Sequence, residues 1–282
     1  MARTVDDHTV DGPEAAHDFY EGKWTSTDRG SGSLKNLLIK KERFFVRQLR
    51  GEHGTVLDLG CGGGWYHFAR IGPVAGLDLS HASLCSAKEV YSLPTQGLAT
   101  ALPYADESFA LVVSLDFIGH VPIDKKDLLL SEIYRVLRSG GKTLHYIETL
   151  SADPLNSFAR RHPDLYERYL IAPDGHVGIE TPTATYSRFR AKGFEPVSET
   201  AAYKGAVYVE RFVRYFDNEY RDRSLSIRLL VALLKPIARL KPLALAANLL
   251  ITAAFELFDP LLPQRWAGGV LVCYTKPAAK EH

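Results

Sequence analysis

A glycine-rich stretch that follows a buried strand carries the residues most suited to binding chemistry. Three of the four residues in Val56–Leu59 are apolar, as in a central strand covered on both faces. Gly60, Gly62 and Gly64 come next, and glycine allows positive φ and close approach of a ligand to the main chain. This arrangement predicts a nucleotide-like ligand at the carboxyl end of the strand, beside the next helix N-terminus.

A second buried strand ends in an acid, Asp78, twenty positions after Asp58. A carboxylate at that position can accept hydrogen bonds from both hydroxyl groups of a ribose. The alternative is that Asp78 or Ser80 caps the following helix, because both residue types are good N-caps. The position at the end of a strand favours the ribose role.

The glycine spacing narrows the class of nucleotide. A dinucleotide fingerprint, G-x-G-x-x-G, needs its third glycine at position 65, where Trp65 stands, and this disfavours a dehydrogenase. The pattern present, from Asp58 to Gly64, is D-x-G-x-G-x-G. With this pattern the chain resembles the class I S-adenosylmethionine-dependent methyltransferases, in particular the small-molecule type related to ubiquinone and menaquinone methyltransferases.

Two later segments extend the resemblance. Residues 102–114 are similar to the family's "LPF…DxSFDxV" segment before the fourth strand, with Ala110 in place of the usual acid. Leu98 stands where many relatives carry an acid near the adenine, which leaves a backbone carbonyl in 99–102 as an alternative acceptor. Residues 132–142 resemble the "RVLxxGG" segment, in which Gly140 and Gly141 end a helix before the next strand.

The resemblance implies S-adenosylmethionine as the cofactor and a set of residues that bind it. Asp58 is expected at the amino-acid end of the ligand, directly or through water, and Asp78 at the ribose. Tyr20, in a segment that covers the ligand in many relatives, either closes the pocket or only packs. The full predicted set is Asp58, Gly60, Cys61, Gly62, Asp78, Leu79, Leu102, Ser114 and Tyr20.

Methyl transfer depends mainly on positioning, and an oxygen acceptor also needs a base to remove its proton. His120 follows the fourth strand, His176 precedes a later helix, and Glu148 ends the fifth strand. These three are the predicted catalytic residues. Each also has a structural alternative: packing for His120, a loop contact for His176, and an ion pair with a neighbouring arginine for Glu148. No metal site is predicted.

The order of apolar segments predicts an α/β fold, a Rossmann-like doubly wound sheet of seven strands. Strands are expected near 55–59, 73–78, 96–98, 109–115, 142–148, 194–203 and 268–275, and helices near 34–49 and 181–192. The family resemblance makes the last strand antiparallel to the others. The predicted organisation is an N-terminal helical cap (1–50), a core (51–204 and 264–282) and a helical insertion (205–263).

The insertion between the sixth and seventh strands is long, apolar and basic. Residues 229–234 and 243–255 are strongly apolar, and Pro236 and Pro242 are expected to break the helices. Arg228, Lys235 and Arg239 share one helical face by spacing, with leucines opposite. Two interpretations stand: peripheral membrane contact through 221–258, or a helical cap packed on the core with a solvated basic face. Both favour a lipophilic acceptor.

Composition fits a single large enzyme domain. The chain has 282 residues, 46% of them hydrophobic, and a formal net charge of +1, which gives no general attraction to nucleic acid. The three cysteines lack paired spacing and the polar N-terminus is unlike a signal peptide, so we expect a cytoplasmic protein, with or without peripheral membrane contact. A nucleic-acid methyltransferase motif is missing after the fourth strand, where the sequence is Ser114-Leu115-Asp116-Phe117.

The sequence therefore predicts an S-adenosylmethionine-dependent methyltransferase that acts on a small lipophilic acceptor, at oxygen first and carbon second. Two alternatives stay open. One is a protein that binds S-adenosylmethionine without methyl transfer, and the other is a C-methyltransferase of a lipid or quinone at the membrane surface.

Overall fold

A single seven-stranded sheet organises the chain, in the order β3-β2-β1-β4-β5-β7-β6. The computed structural model describes residues 20, 21, 25, 40–167, 175–204, 209–219 and 225–278. The strands are β1 (Val56–Leu59), β2 (Val74–Asp78), β3 (Leu93–Gln96), β4 (Phe109–Leu115), β5 (Leu137–Glu148), β6 (Glu195–Lys204) and β7 (Ala267–Thr275).

Strands β3, β2, β1, β4 and β5 pair in parallel, and β7 lies antiparallel between β5 and β6. Every residue of β1 and of β4 is buried, as expected for central strands with both faces covered. Parallel pairing places the carboxyl ends of β1, β2, β4 and β5 at one edge of the sheet. The predicted Rossmann-like fold, with its antiparallel last strand, is confirmed.

Helices cover both faces of this sheet. In the described part of the chain they are α1 (Lys40–Gln48), α2 (Tyr66–Ala69), α3 (His81–Ala87), α4 (Lys126–Val136), α5 (Pro154–Ala159), α6 (Pro163–Tyr166), α7 (Pro182–Ala191), α8 (Val209–Glu219), α9 (Leu225–Arg239) and α10 (Lys241–Phe258). One core contains Leu57, Ile133 and Phe189, and the core on the opposite face contains Phe45 and Trp65. Trp65, which occupies the position of the third glycine of a dinucleotide motif, is thus a core side chain.

Two predicted boundaries are wrong. The third strand is Leu93–Gln96 rather than 96–98, because it pairs with β2 as far as Asp78 and leaves the sheet at Gly97. Its Pro94 reads as a strand breaker in sequence, yet proline is tolerated in an edge strand.

The helix before β5 ends at Val136, four residues before Gly140, and β5 begins at once at Leu137. Gly140 and Gly141 are therefore inside the strand, where they exchange backbone hydrogen bonds with Lys276. Tertiary pairing has overridden the usual role of a glycine pair as a helix terminator. Of the helix predicted near 34–49, only α1 falls within the described residues, and positions 34–39 lie outside them.

The insertion between β6 and β7 is helical, as predicted, and consists of α8, α9 and α10. Pro236 does not break a helix: it lies inside α9, on its exposed side, where water can satisfy the carbonyl group of Ala232 that loses its partner. Pro242 occupies the first turn of α10, where a proline lacks no hydrogen bond. Among the helices described, none is long and apolar enough to cross a lipid bilayer.

The turn after β1 provides a stability prediction. Gly60 and Gly140 both have positive φ, of 62° and 73°, but a Cβ at Gly60 would overlap the ring of Phe117 while one at Gly140 meets nothing within 4 Å. We expect Gly140→Ala to cost about 1 kcal/mol from backbone strain. Gly60→Ala should cost about 1–3 kcal/mol more because of the overlap. Urea unfolding measures both, and equal losses would contradict the predicted overlap.

Candidate functional site

The glycine turn after β1 is left-handed at two positions that the cofactor prediction depends on. Gly60 and Gly62 have φ of 62° and 50°, a region that side chains other than glycine seldom adopt. Between them, the backbone N–H of Cys61 donates to the carbonyl oxygen of Leu77 at 3.0 Å, and the thiol is fully buried. The turn is thereby attached to β2 at the carboxyl edge of the sheet, with Gly60 partly buried and Gly62 and Gly64 buried.

Asp78 joins the ends of β1 and β2. Its Oδ2 accepts a hydrogen bond from the N–H of Gly62 at 2.8 Å, and its Oδ1 accepts one from the N–H of Ser80 at 2.9 Å. The helix-capping role considered for Asp78 belongs to Ser80, whose hydroxyl accepts from the N–H of Ser83. Both Asp78 oxygens keep further lone pairs, so the predicted contact with a ribose is compatible with this geometry.

Asp58 lies on the inner side of the same turn and is fully buried. Its Oδ2 accepts a hydrogen bond from the hydroxyl of Tyr91 at 2.7 Å, and that hydroxyl accepts from the N–H of Trp65 at 2.8 Å. The chain Asp58–Tyr91–Trp65 fixes the path of the backbone from the end of β1 to the start of α2. The two predicted acids therefore flank one turn, and contact of Asp58 with the amino-acid end of the ligand stays a prediction.

The predicted residues near the adenine have their backbone groups engaged within the protein. The N–H of Leu102 donates to Glu132 at 2.7 Å, and its carbonyl oxygen accepts from Arg135 at 3.1 Å. The carbonyl oxygen of Leu79 accepts from the side chain of Gln96 at 2.8 Å. These contacts fix the two loops. The carbonyl oxygen of Leu102 already accepts from Arg135, so only its second lone pair is left for the adenine amino group.

Ser114 is placed inside the core. Its hydroxyl is fully buried and lies 2.7 Å from Nδ1 of His145, whose other ring nitrogen contacts the hydroxyl of Thr143. The ring of Phe189 from α7 packs beside His145. The Ser114 side chain is therefore not available to the cofactor. A contact through the Ser114 backbone stays a prediction.

The three predicted catalytic residues come together at the carboxyl ends of β4 and β5. Nε2 of His176 lies 3.7 Å from Oε1 of Glu148, and the rings of His120 and His176 are 4.7 Å apart. Nδ1 of His120 lies 2.9 Å from the carbonyl oxygen of Gly175, which can only accept, so Nδ1 carries the proton and Nε2 is the basic nitrogen.

Two consecutive N-terminal residues reach opposite sides of this edge. The hydroxyl oxygen of Tyr20 lies 3.2 Å from both Nδ1 of His120 and the carbonyl oxygen of Gly175. The carboxylate of Glu21 accepts from the N–H groups of His81 and Ala82, at the start of α3. These two residues thus connect the start of α3, which follows β2, with the loop that follows β4. This position agrees with the interpretation that Tyr20 closes the pocket. Trp24 lies outside the described residues.

The charges of the cluster follow from its surroundings. Burial alone would raise the pKa of Glu148, but the hydrogen bond and charge of His176 and the charge of His120 outweigh it and hold the pKa below its ordinary value. Desolvation raises the pKa of Asp116 to about 6 in spite of the nearby Lys41, and the charge of Glu148 adds to the rise. As pH rises, Glu148 therefore loses its proton before Asp116 does.

Burial, followed by the charge of Glu148, raises the pKa of Tyr20 to about 12. Its hydroxyl consequently stays protonated at neutral pH and acts as a hydrogen-bond donor.

The segment that carries His176 is held from both ends. The N–H of Gly178 donates to the carbonyl oxygen of Gly119 at 2.9 Å, next to His120. Glu180 is buried against Lys126 and forms a two-pronged ion pair with Arg188 of α7. These contacts place the segment over the end of β5 and bring His176 to Glu148.

Asp116 and Tyr91 were missed as functional residues. Asp116 has φ of 56° directly after β4, and its carboxylate contacts Lys41 and lies beside Glu148. An acid that ends a strand was the signal that found Asp78, and it was available here too. Tyr91 had no comparable signal, because its role depends on a contact 33 residues away.

The three predicted catalytic residues also have the ligand atoms that a cation site needs. Ligand atoms of His120, Glu148 and His176 all lie within 4.8 Å of one another. Two imidazoles and a carboxylate are a donor set that zinc and similar ions accept. The absence of a metal site therefore stays a prediction.

Comparison with known proteins identifies the same region. Residues 57–145 match the family described as "Methyltransferase domain". Malonyl-[acyl-carrier protein] O-methyltransferase from Erwinia billingiae is 38% identical over 115 residues, which are 39% of this chain and 44% of that protein. A relative from Encephalitozoon cuniculi is 31% identical over 45% of this chain and 61% of its own length. The chain thus spans less than two thirds of the length of either curated relative.

Solved structures share the fold at low sequence identity. A S-adenosylmethionine-dependent methyltransferase from Methanosarcina mazei has a TM-score of 0.52 and 14% identity, over 83% of this chain and 98% of that one. The [4+2]-cyclase SpnF has a TM-score of 0.51 and 16% identity, over 87% of this chain and 80% of that one. At these identities the likeness establishes the fold alone.

Replacement of Asp78 tests the ribose prediction. Asp78→Ala removes the oxygens that receive the Gly62 and Ser80 N–H groups and the predicted acceptors of the ribose hydroxyls. We expect roughly 10- to 100-fold weaker binding of S-adenosylmethionine, the range for charge-assisted hydrogen bonds. Titration calorimetry measures this, with exposed Asp124→Ala as the control. An unchanged dissociation constant in a folded Asp78→Ala variant would contradict the role.

Burial of His145 makes stability depend on pH. Burial lowers the pKa of His145 to about 3, whereas the unfolded chain binds a proton near pH 6.5. Between these values the unfolded state binds more protons, so this stabilisation is complete above about pH 6.5 and is lost as pH falls. The stability difference between wild type and His145→Gln should therefore shrink by about 2 kcal/mol between pH 7.5 and 5 in urea unfolding. A constant difference would contradict this expectation.

The cofactor of the family fits the residues described. S-adenosylmethionine needs close approach to main chain and carboxylates near its sugar, and the N–H of the left-handed Gly62 donates to Asp78. The cradle is formed by main chain at the carboxyl edge of the sheet, inside the matched region. Residues 57–145 therefore match a methyltransferase domain, in which the glycine turn and Asp78 are compatible with S-adenosylmethionine.

Proposed function

We propose that this protein transfers a methyl group from S-adenosylmethionine to an oxygen atom of a small lipophilic acceptor. The observation that carries the proposal is the convergence of His120, Glu148 and His176 at the sheet edge that also holds the glycine turn. A buried carboxylate beside two imidazoles is the arrangement that proton removal from a hydroxyl group requires.

His120 is proposed as the base. Bound S-adenosylmethionine supplies a methyl group already activated by the sulfonium. Nδ1 of His120 donates to the carbonyl oxygen of Gly175, so Nε2 accepts the proton of the acceptor hydroxyl. Glu148, held ionised, stabilises the imidazolium that results, and His176 fixes the orientation of Glu148. The Tyr20 hydroxyl, held protonated, donates to the carbonyl oxygen of Gly175, which also accepts from Nδ1 of His120.

Two observations support oxygen and a lipophilic acceptor. The Erwinia billingiae relative is named as an O-methyltransferase, which places oxygen before carbon. The chain leaves Glu148 through α5, whose residues Phe158 and Ala159 pack on Phe216 of α8 and Val231 of α9. An apolar wall that continues from the end of β5 suits an apolar acceptor. Transfer to carbon of a lipid or quinone is the second choice for the same site.

A different function class is supported by one structural neighbour. SpnF, which shares the fold, is named as a cyclase rather than a methyltransferase. A protein that holds S-adenosylmethionine without transferring a methyl group is therefore the alternative. Formation of S-adenosylhomocysteine in the presence of acceptor distinguishes the two.

The test is production of S-adenosylhomocysteine with a panel of lipophilic alcohols, phenols and carboxylic acids. With a responsive acceptor, His120→Asn and Glu148→Gln should lower kcat by roughly 10²- to 10⁴-fold, the usual contribution of acid–base catalysis. Binding of S-adenosylmethionine should change little, because neither side chain is predicted to touch it.

Matched controls are available on the surface. His53→Asn and Glu89→Gln change the same residue types at exposed positions and should leave kcat unaltered. Wild-type kcat in both His120→Asn and Glu148→Gln would overturn the assignment of the base. Tight binding of S-adenosylmethionine with no product across the panel would favour the alternative function.

A further inference from the structure

We infer that α9 and α10 lie flat on the surface of an anionic lipid bilayer, through leucine side chains that these helices direct away from the protein. Eleven of the nineteen exposed large apolar side chains in the described part of the chain fall within 225–261. Single exposed leucines are ordinary, whereas such a concentration marks an interaction surface.

In α9 the exposed leucines form one stripe. At 100° per residue, Leu225, Leu229 and Leu233 fall within about 80° of one another around the helix axis, and Leu230, 43% exposed, lies about 60° beyond Leu233. Leu229 and Leu233 are 62% and 67% exposed, while Val231 is 2% exposed. By the same helical geometry Val231 lies on the opposite side. The stripe therefore points away from α8, against which α9 packs.

The next helix repeats the arrangement. Leu243, Leu250 and Leu257 recur every seven residues, so they share one face of α10. They are 50%, 72% and 74% exposed, whereas Ala244 is 1% exposed and lies towards the opposite side. Each helix thus buries a small apolar face in the protein and presents larger apolar side chains to its surroundings.

The charge of α9 and α10 indicates which kind of surface covers the exposed leucines. Residues 225–261 contain four basic residues and two acids, Glu256 and Asp259, and Asp259 pairs with Lys40. Arg228, Arg239 and Lys241 are exposed, and Arg228 and Arg239 lie beside the leucine stripe by helical position. Lys235, predicted on the same basic face, instead pairs with Asp217 of α8. A face of leucines flanked by exposed basic residues favours an anionic bilayer over another protein surface.

The surface also connects to the site. Val231 and Ile227 of α9 join the cluster that contains Phe216 of α8 and Ala159 of α5. Because α5 follows β5, a bilayer on the outer side of α9 lies one helical layer from the segment that leaves Glu148. A lipophilic acceptor could pass from lipid to site by this route, and that step alone rests on the proposed function.

The test is co-sedimentation of the full chain with phosphatidylcholine vesicles that contain or lack phosphatidylglycerol. Binding should require phosphatidylglycerol and weaken with salt. The triple variant Leu229→Ser, Leu233→Ser, Leu250→Ser should bind at least about tenfold more weakly, and Arg228→Glu with Arg239→Glu similarly.

The matched control is Leu93→Ser with Leu128→Ser, leucines that are 54% and 51% exposed outside the insertion and should not change binding. Wild-type protein that sediments with neither vesicle would overturn the inference. So would a dimer that the triple leucine variant converts to monomers in light scattering, since a second copy would then cover the face. Methyl transfer to a water-soluble acceptor, unaltered in the leucine variants, separates this outcome from failure of the proposed function.

Discussion

Parallel pairing of β2, β1, β4 and β5 is the constraint on which the site depends, because it brings four carboxyl ends to one edge of the sheet. Asp78 and Glu148 are the last residues of β2 and β5, and the glycine turn and Asp116 directly follow β1 and β4. They are far apart in sequence, and no local interaction would bring them together. The register of buried strands, fixed by the apolar residues on both faces, sets the spacing between the cofactor half of the edge and the proposed catalytic half.

Several buried charges at this edge are compensated in different ways. Asp58 receives a tyrosine hydroxyl, Glu148 faces two imidazoles, and Glu180 is enclosed by Lys126 and Arg188. An uncompensated carboxylate in such positions would be strongly destabilising. Each of these three carboxylates therefore faces a donor or cation that a neighbouring element places beside it. His145 shows the opposite solution, since it is fully buried and stays neutral.

The sequence predicted the parts of the molecule that local pattern controls. Strands β1, β2 and β4, the glycine turn and the helical insertion follow from apolar runs and glycine spacing. The strand order places His120 and Glu148 at the carboxyl edge, whereas His176 is brought there by the contact between Gly178 and Gly119. What it could not predict depends on distant partners. Gly140 looks like a helix terminator but is held in a strand by Lys276, and Pro236 is tolerated because its side of α9 is exposed. Tyr91 became important only when folding placed it between Asp58 and Trp65.

The pair Tyr20 and Glu21 has a consequence for the mechanics of this edge. Adjacent in the chain, they are anchored on separate structural units, one on the His120 loop and the other on the first turn of α3. Neither anchor can shift far without pulling on its neighbour. The loop after β4 and the start of α3 are consequently joined mechanically through two adjacent residues, across the edge at which the glycine turn lies.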